Sequence, residues 1–523
     1  MFKKKWLLSS IHLIIALIAF SFSIFKLNYP IWFAAWIAPV FLIRFIRKSK
    51  WIYAVVFSFL VLQISLFIGL IPFMTMTDEI SIKMSSWSML KMQFESGIFL
   101  LAPLYFIPFI LDKVLYKYLS NSLNSLVFPA GIVAVELLIS YLFGTLSTFG
   151  ESQFTIPPLV ITSSILGVFG LSFLVAWFAS IINTLWEINW SIRKLGYSGM
   201  IYVTIIVIIL VYGGTETAFP KKADKNVSIA GITLKNGFFE RMASSDLYVS
   251  EIFNLGPAEA EKIMSSPQSH LHEMRRKTLK AVKNGARIIV WQEYALTLES
   301  SVAGTYLLEM QNMADEEDIY LLVSYARLLN EEEKNDRIMI NKGVLFTPDG
   351  GIGWQYKKAF PGPGYEEYMV ESGPKNIPYI DTPYGRIGQV ICADMLFPHY
   401  IRQAAVKKID LLLVPSFDSP FFTPLITFAS GYRAVENGFT MIRISGNGHS
   451  AIIDPYYRHW AGQNYFEQGT DNFYANVPMV SKKTIYASIG FIFPYIIILL
   501  LISLIIVAII HAAKRDKDSN SEL

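Results

Sequence analysis

A chain of 523 residues holds one cysteine, Cys392, and it ends the run Gly388-Gln389-Val390-Ile391, a pattern that predicts a strand followed by a sharp turn. Glu293 sits in a similar place, directly after Ile288-Ile289-Val290-Trp291-Gln292. A third run, Trp354-Gln355-Tyr356, leads into the pair Lys357-Lys358, then Ala359-Phe360 and a Pro361-Gly362-Pro363-Gly364 turn. Strand ends are where layered α/β enzymes place their reacting groups. Glutamate, lysine and cysteine together make a coherent acyl-transfer set. A thiol is mostly protonated at neutral pH and needs a base beside it. Glu293 would take that proton and return it to the leaving group, which requires burial to raise its pKa. A lysine ammonium would hold the oxyanion of the tetrahedral intermediate, aided by the backbone N–H of Ala393. Each residue alone is ordinary, since a lone cysteine is usually a small buried hydrophobe. Three such contexts in one chain are not. The seven histidines form no Cys–His pair by spacing. A single cysteine permits neither an intrachain disulfide nor a cysteine-based zinc cluster.

The elements that must position these groups begin with composition. Apolar residues are 53% of the chain and charged residues only 16%, with a net charge of +4. That excludes an ordinary soluble enzyme, a disordered chain and a nucleic-acid binder with a broad basic face. The apolar excess is concentrated in runs near 6–25, 30–46, 51–73, 97–111, 127–146, 158–183, 199–213 and 486–511. Between 226 and 482 no run approaches the roughly 18–20 residues needed to cross a bilayer. The expected organisation is seven membrane helices over 1–215, a globular block over 226–482, a last helix over 486–511 and a tail over 512–523.

Lys and Arg in the short connections set the expected orientation. Lys3 to Lys5, Arg44 to Lys50, Lys113 with Lys117, Arg193-Lys194 and Lys514 to Lys517 fall on one side; Lys26, Lys83 and Lys91 fall on the other. Both termini are then cytoplasmic and the globular block is extracytoplasmic. Glu136 lies within the fifth apolar run, where a carboxylate must face the bundle interior or a polar cavity.

In the block, stretches rich in strand formers lie at 227–234, 286–291, 319–325, 342–346, 386–391, 410–414 and 439–444. Helical stretches are expected at 269–284 and 425–437. Alternating strands and helices predict a layered α/β or α+β domain.

In order and context, the segments around Glu293, Lys358 and Cys392 resemble the nitrilase (carbon–nitrogen hydrolase) superfamily. Its members use a Glu–Lys–Cys triad in an α-β-β-α sandwich, and its Tyr-x-Lys pattern selects Lys358 over Lys357. Eight membrane helices framing such a domain resemble the apolipoprotein N-acyltransferase branch of bacterial envelopes. Glu136, the Gly150-Glu151-Ser152-Gln153 loop and Gly167 to Phe173 are similar to features of that branch's membrane part. Glu366 falls where the family has a second glutamate supporting the lysine and thiol, and Asp394 takes the acidic position two after the nucleophile. Gln292, Phe360, Ile139, Ser147-Thr148 and Pro415-Ser416-Phe417-Asp418 depart from the branch pattern.

The resemblance implies a multi-pass plasma-membrane (inner-membrane) protein of a bacterium, with both termini cytoplasmic. It implies ping-pong acyl transfer through a Cys392 thioester at the outer face of that membrane. The donor would be a phospholipid sn-1 ester and the acceptor the α-amine of a diacylglyceryl-cysteine on an apolipoprotein. No metal or organic cofactor is required. Aromatic stretches at 365–369 and 417–422 are candidates to line the entrance. The same fold also supports a membrane-tethered amidase or nitrilase-like hydrolase, with water as the acceptor.

Overall fold

The computed structural model describes residues 2–75, 98–195, 197–221, 223, 225–235, 256–266, 268–330, 332–333, 337–362, 365–418 and 420–521. Lys83, Lys91, Pro363 and Gly364 therefore lie outside the described residues. The described chain forms two compact units. One is helical, up to Ile71, over Gly97–Phe219 and again from Ser488; the other is α/β, from Pro220 to Ala487, and also takes in the residues from Pro72.

Hydrocarbon offers no partner for backbone N–H and C=O groups, so an apolar run of bilayer length folds as a helix. Six helices are long and apolar enough to span, at Trp51–Ile71, Ile98–Leu115, Asn121–Leu142, Ser163–Glu187, Tyr197–Ala218 and Ile492–Arg515. Two shorter apolar stretches are also helical, Leu8–Ser21 within the helix Phe2–Ser21 and the Pro39-containing Trp32–Lys48. Together they match the eight apolar runs of the sequence one for one, so the chain is a membrane protein. The last helix continues to Ser521, past the end of its apolar run.

Several buried polar side chains inside this unit hold one another in place. Arg47 donates to both oxygens of Asp112, at 2.8 and 2.7 Å, with both side chains essentially unexposed. Glu136 is fully buried and accepts from the Phe149 N–H at 2.8 Å and the Tyr105 hydroxyl at 3.2 Å. Gln153 accepts from the Trp36 indole at 2.8 Å, so the 150–153 loop is tied to the second helix. Gly167 interrupts the Ser163–Glu187 helix with φ 71°, a left-handed conformation that glycine adopts without steric cost.

The α/β unit is built from two sheets. The first contains β1 (Asn226–Ile232), β2 (Ile288–Trp291), β3 (Leu296–Leu298), β4 (Tyr320–Leu328), β5 (Met339–Phe346) and β6 (Ile352–Lys357). The second contains β7 (Tyr379–Thr382), β8 (Gly385–Gln389), β9 (Leu411–Phe417), β10 (Thr440–Gly446), β11 (His449–Ile453) and β12 (His459–Asn464). The final strand, β13 (Phe473–Pro478), returns to the first sheet, whose order is β13-β1-β2-β4-β5-β6 with β3 beside β4. The second sheet runs β12-β11-β10-β9-β8-β7.

Alternate residues of the first sheet, among them Ile232, Ile289, Trp291, Leu321 and Val323, pack on the helices Gln268–Lys283 and Ser300–Glu316. The opposite face meets the second sheet so closely that a Cβ on Gly231 would lie 2.3 Å from Ile444. The helices Pro398–Val406 and Leu425–Asn437 lie against the second sheet's side, which completes an α-β-β-α sandwich. Because both faces of its central strands are covered, those strands read in sequence as unbroken apolar runs. The helix Leu425–Asn437 has the bounds expected from sequence. The helices Ser300–Glu316 and Pro398–Val406, and the strands β3, β7, β11, β12 and β13, are additions.

Candidate active site

Parallel strands β2 and β8 end in the same region between the two sheets, and each hands over a reactive side chain just past its end. Glu293 follows β2 by two residues and is 1% exposed. Its Oε1 accepts from Lys358 Nζ at 2.8 Å and from Asn341 Nδ2 at 2.7 Å; its Oε2 accepts from the Phe417 N–H at 2.7 Å. Lys358 follows β6 directly, is also 1% exposed, and is shared between Glu293 and Glu366 Oε2, the latter at 2.5 Å. Glu366 accepts further from the Gly362 N–H at 2.5 Å and from the Tyr294 hydroxyl. Lys357, by contrast, points to Glu371 and is partly exposed.

Cys392 opens a tight turn, Cys392–Leu396, with φ 44°, and Tyr294, next to Glu293, has φ 53°. Left-handed backbone at a non-glycine residue costs about 1–3 kcal/mol and persists only where the surroundings fix it. Here the fixing group is Asp394. Its Oδ2 accepts from the Ile391 N–H at 2.8 Å and the Tyr356 hydroxyl at 2.6 Å, and its Oδ1 accepts from the Phe360 N–H at 2.8 Å. One buried carboxylate therefore ties the cysteine turn to the segment that carries Lys358. Burial pushes Asp394 up to about 6, although the hydrogen bonds from Tyr356 and Ile391 oppose that.

The sulfur of Cys392 lies 3.8 Å from the Phe417 carbonyl oxygen, 3.8 Å from Asp418 Oδ1 and 3.9 Å from Arg443 Nη2. Phe417 is thus a common reference: its N–H holds Glu293 and its C=O receives the thiol. Ala393, the next residue, is 5% exposed within the same turn.

Electrostatics separate the two carboxylates. Burial pushes Glu293 up to about 7, with the Glu366 charge adding to the rise and Lys358 opposing it. Burial acts on Glu366 in the same sense, but Lys358 and the hydrogen bonds from Tyr294 and Gly362 outweigh it, and its value falls below the usual carboxylate range. Burial works against the Lys358 charge, yet Glu293 and Glu366 more than compensate and hold it as an ammonium. Burial and the Glu293 and Asp418 charges push the Cys392 thiol well up, while Lys358 and Arg443 pull the other way. A protonated thiol beside a carboxylate poised near neutrality is an acid–base pair ready for nucleophilic attack.

The structure therefore brings Glu293, Lys358, Glu366, Cys392, Ala393 and Asp394 into one α/β unit, and leaves Glu136 among the helices of the other. Sequence reasoning missed Asn341, Tyr294 and Arg443, and it noted Asp418 only as part of a departure. The signal for Arg443 was available: a single charge in the apolar run Met441-Ile442-Arg443-Ile444. Two other departures have structural roles. Gln292 is buried and its Oε1 accepts from the Leu234 N–H at 2.9 Å; Phe360 stacks on Phe397 with ring centres 3.9 Å apart.

The sequence matches the carbon-nitrogen hydrolase family over residues 252–485 and the apolipoprotein N-acyltransferase N-terminal domain over residues 15–181. It is similar to an apolipoprotein N-acyltransferase of Rickettsia typhi, 24% identical over 328 residues, which cover 59% of this chain and 60% of that protein. It is also similar to a probable nitrilase of Schizosaccharomyces pombe, 27% identical over 158 residues, covering 28% of this chain and 55% of the relative. The chain thus spans little more than half the length of these curated relatives. Among solved structures, an amidase from Nesterenkonia sp. aligns with TM-score 0.38 and 16% identity, covering 51% of this chain and 93% of the amidase.

Proposed function

We propose that this chain, which belongs to the carbon–nitrogen hydrolases and joins to that domain an apolipoprotein N-acyltransferase N-terminal domain, is an acyltransferase of lipoprotein maturation. It moves a fatty acyl chain from a membrane phospholipid to the N-terminal amine of a diacylglyceryl-cysteine on an apolipoprotein. The observation that carries this reading is the clamp at Phe417. Glu293 and Cys392 engage the N–H and C=O of one residue, at 2.7 and 3.8 Å, and Glu293 is bound to Lys358.

In the first half-reaction Glu293 takes the thiol proton, and the Cys392 sulfur attacks the phospholipid ester carbon. Lys358 and the Ala393 N–H stabilise the oxyanion. The C–O bond then breaks, Glu293 returns the proton to the departing lysophospholipid, and a thioester remains. In the second, the lipoprotein amine attacks the thioester, loses its proton to Glu293, and leaves as an amide while the thiol is regenerated. Glu366 keeps Lys358 in place and charged, and Asp394 holds the cysteine turn. The scheme calls on neither a metal nor an organic cofactor.

The apolar helices support a place in the bacterial inner membrane, where both substrates are anchored. The distribution of Lys and Arg supports a topology with both termini in the cytoplasm and the catalytic domain outside it.

The test is a fluorescent phospholipid incubated with the full chain in detergent. A covalent acyl adduct is expected that hydroxylamine removes and that Cys392→Ala abolishes; an adduct persisting in Cys392→Ala would overturn the nucleophile. Adding a diacylated lipopeptide should then yield N-acylated peptide. Release of free fatty acid alone would instead make the protein a membrane-tethered hydrolase.

A further inference from the structure

The scheme above uses one cation, Lys358, which arrives from the first sheet. A second buried cation reaches the same sulfur from the other sheet. Arg443 lies within β10, is completely unexposed, and places Nη2 3.9 Å from Cys392 Sγ. Its partner Asp418, just past the end of β9, accepts from that same Nη2 at 2.6 Å and lies 3.8 Å from the sulfur through the same oxygen. The other oxygen of Asp418 accepts from the Ser445 hydroxyl at 2.7 Å.

Arginine used only as a clamp usually engages a carboxylate with two parallel N–H groups. Arg47 does so in the helical unit, meeting both oxygens of Asp112. Arg443 does not. One nitrogen serves both the carboxylate and the sulfur, and Nε and Nη1 are buried without a hydrogen-bond partner among the described residues. Serving two acceptors through one nitrogen is poor clamp geometry, so it requires an explanation beyond stitching two strands. A guanidinium beside a sulfur that must become an anion supplies one.

We propose that Arg443 is a second cation of the reacting centre, its Nη2–H donating to the Cys392 sulfur and stabilising the thiolate as it forms. This rests on Cys392 being the nucleophile. The thiol proton passes to Glu293, the S–C bond forms as the ester C–O bond breaks, and Glu293 passes the proton to the leaving oxygen. Arg443 keeps all of its protons throughout. Asp418 is a positioning residue: it sets the guanidinium against the sulfur and balances its charge between turnovers.

The chain's single cysteine makes a direct test possible, because iodoacetamide, a neutral reagent, reads the Cys392 thiolate without any lipid. Arg443→Gln alone leaves Asp418 as an uncompensated buried charge, so the informative variant is the double change Arg443→Gln/Asp418→Asn in the full chain in detergent. Because the Asp418 charge itself opposes the thiolate, the double variant is read against Asp418→Asn alone: relative to that variant, alkylation at pH 7 is expected to slow roughly tenfold and its pH profile to move up by about one unit. Arg443→Lys keeps a cation for Asp418 but lacks a second arm for the sulfur; a loss of about threefold is expected, smaller than that of the double variant. Arg443→Lys carries the test alone if the double variant shows no cooperative melt. A double variant that matches Asp418→Asn, or a wild-type rate and pH profile in folded Arg443→Lys, would overturn the proposal, since a purely structural arginine would leave both unmoved. Acyl transfer is measured separately. A shifted alkylation profile without an acyl adduct sinks the acyltransferase reading and leaves Arg443's role standing; the reverse result sinks Arg443's role alone.

Discussion

Two buried charge networks, one in each unit, show what separates a structural ion pair from a reactive one. In the helical unit Arg47 and Asp112 are matched one to one, two hydrogen bonds between two groups of opposite charge. In the sandwich one ammonium, Lys358, is divided between two carboxylates, Glu293 and Glu366, so the cluster carries one negative charge too many. That mismatch is what lets Glu293 hold a proton near neutrality, because Lys358 cannot fully neutralise both partners while burial penalises each. A balanced pair has no such freedom. Stability comes from matching charges, and chemistry from leaving one of them incompletely matched beside a nucleophile.

The contrast breaks most sharply on removal of the cation. Lys358→Ala takes away the oxyanion's ammonium and leaves Glu293 and Glu366 facing each other, so adduct formation from phospholipid should fall by about a hundredfold or more. Arg47→Ala removes a cation that is just as buried, whose hydrogen bonds go to Asp112. Breaking a buried pair costs about 3–5 kcal/mol of stability, and the expected readout is a lower melting temperature with near-normal adduct formation per folded molecule. If Arg47→Ala silenced the chemistry of folded protein, the distinction between the two networks would fail.

The second prediction uses pH. Only the carboxylate form of Glu293 can accept the thiol proton. With its value pushed up to about 7, that form is lost as the pH falls through neutrality. The first-order acylation rate should therefore drop about tenfold per pH unit below about 7 and level off above it. A profile breaking near 4.5, where an unperturbed glutamate titrates, would show that sharing Lys358 with Glu366 leaves no mismatch at Glu293.

How far the sequence anticipates these networks follows from what each level of structure demands of it. The eight helices are legible because a bilayer requires about twenty consecutive apolar residues, a constraint few other structures impose. The inner strands β1, β2, β4, β8, β9 and β10 are legible because both of their faces are covered. Edge strands such as β7 and β12 alternate weakly and stay largely exposed, so they resemble loops. Within the site, Glu293, Lys358 and Cys392 stand out because each ends an apolar run. Asn341, Asp418 and Arg443 do not, because their partners lie 48, 25 and 51 residues away and meet only when the sheets pack. The stretch 415–418, which departs from the branch's pattern, is where this distance matters most. In space it supplies the Phe417 backbone groups and the carboxylate beside the sulfur.

The smallest expected effect tests the choice between neighbours. Lys357 and Lys358 are adjacent, and as strand β6 ends their side chains take opposite directions, as the two-residue period of an extended chain requires. Lys358 enters the buried cluster, while Lys357 reaches Glu371, itself 38% exposed. An ion pair that open to water contributes about 0–1 kcal/mol, and it touches none of the reacting atoms. Lys357→Ala should therefore leave adduct formation within about twofold of wild type and move the melting temperature little. Equal losses in Lys357→Ala and Lys358→Ala would mean that the ammonium acts through the general charge of the strand end. The mismatch at Lys358 would then have no special part in making Glu293 a base.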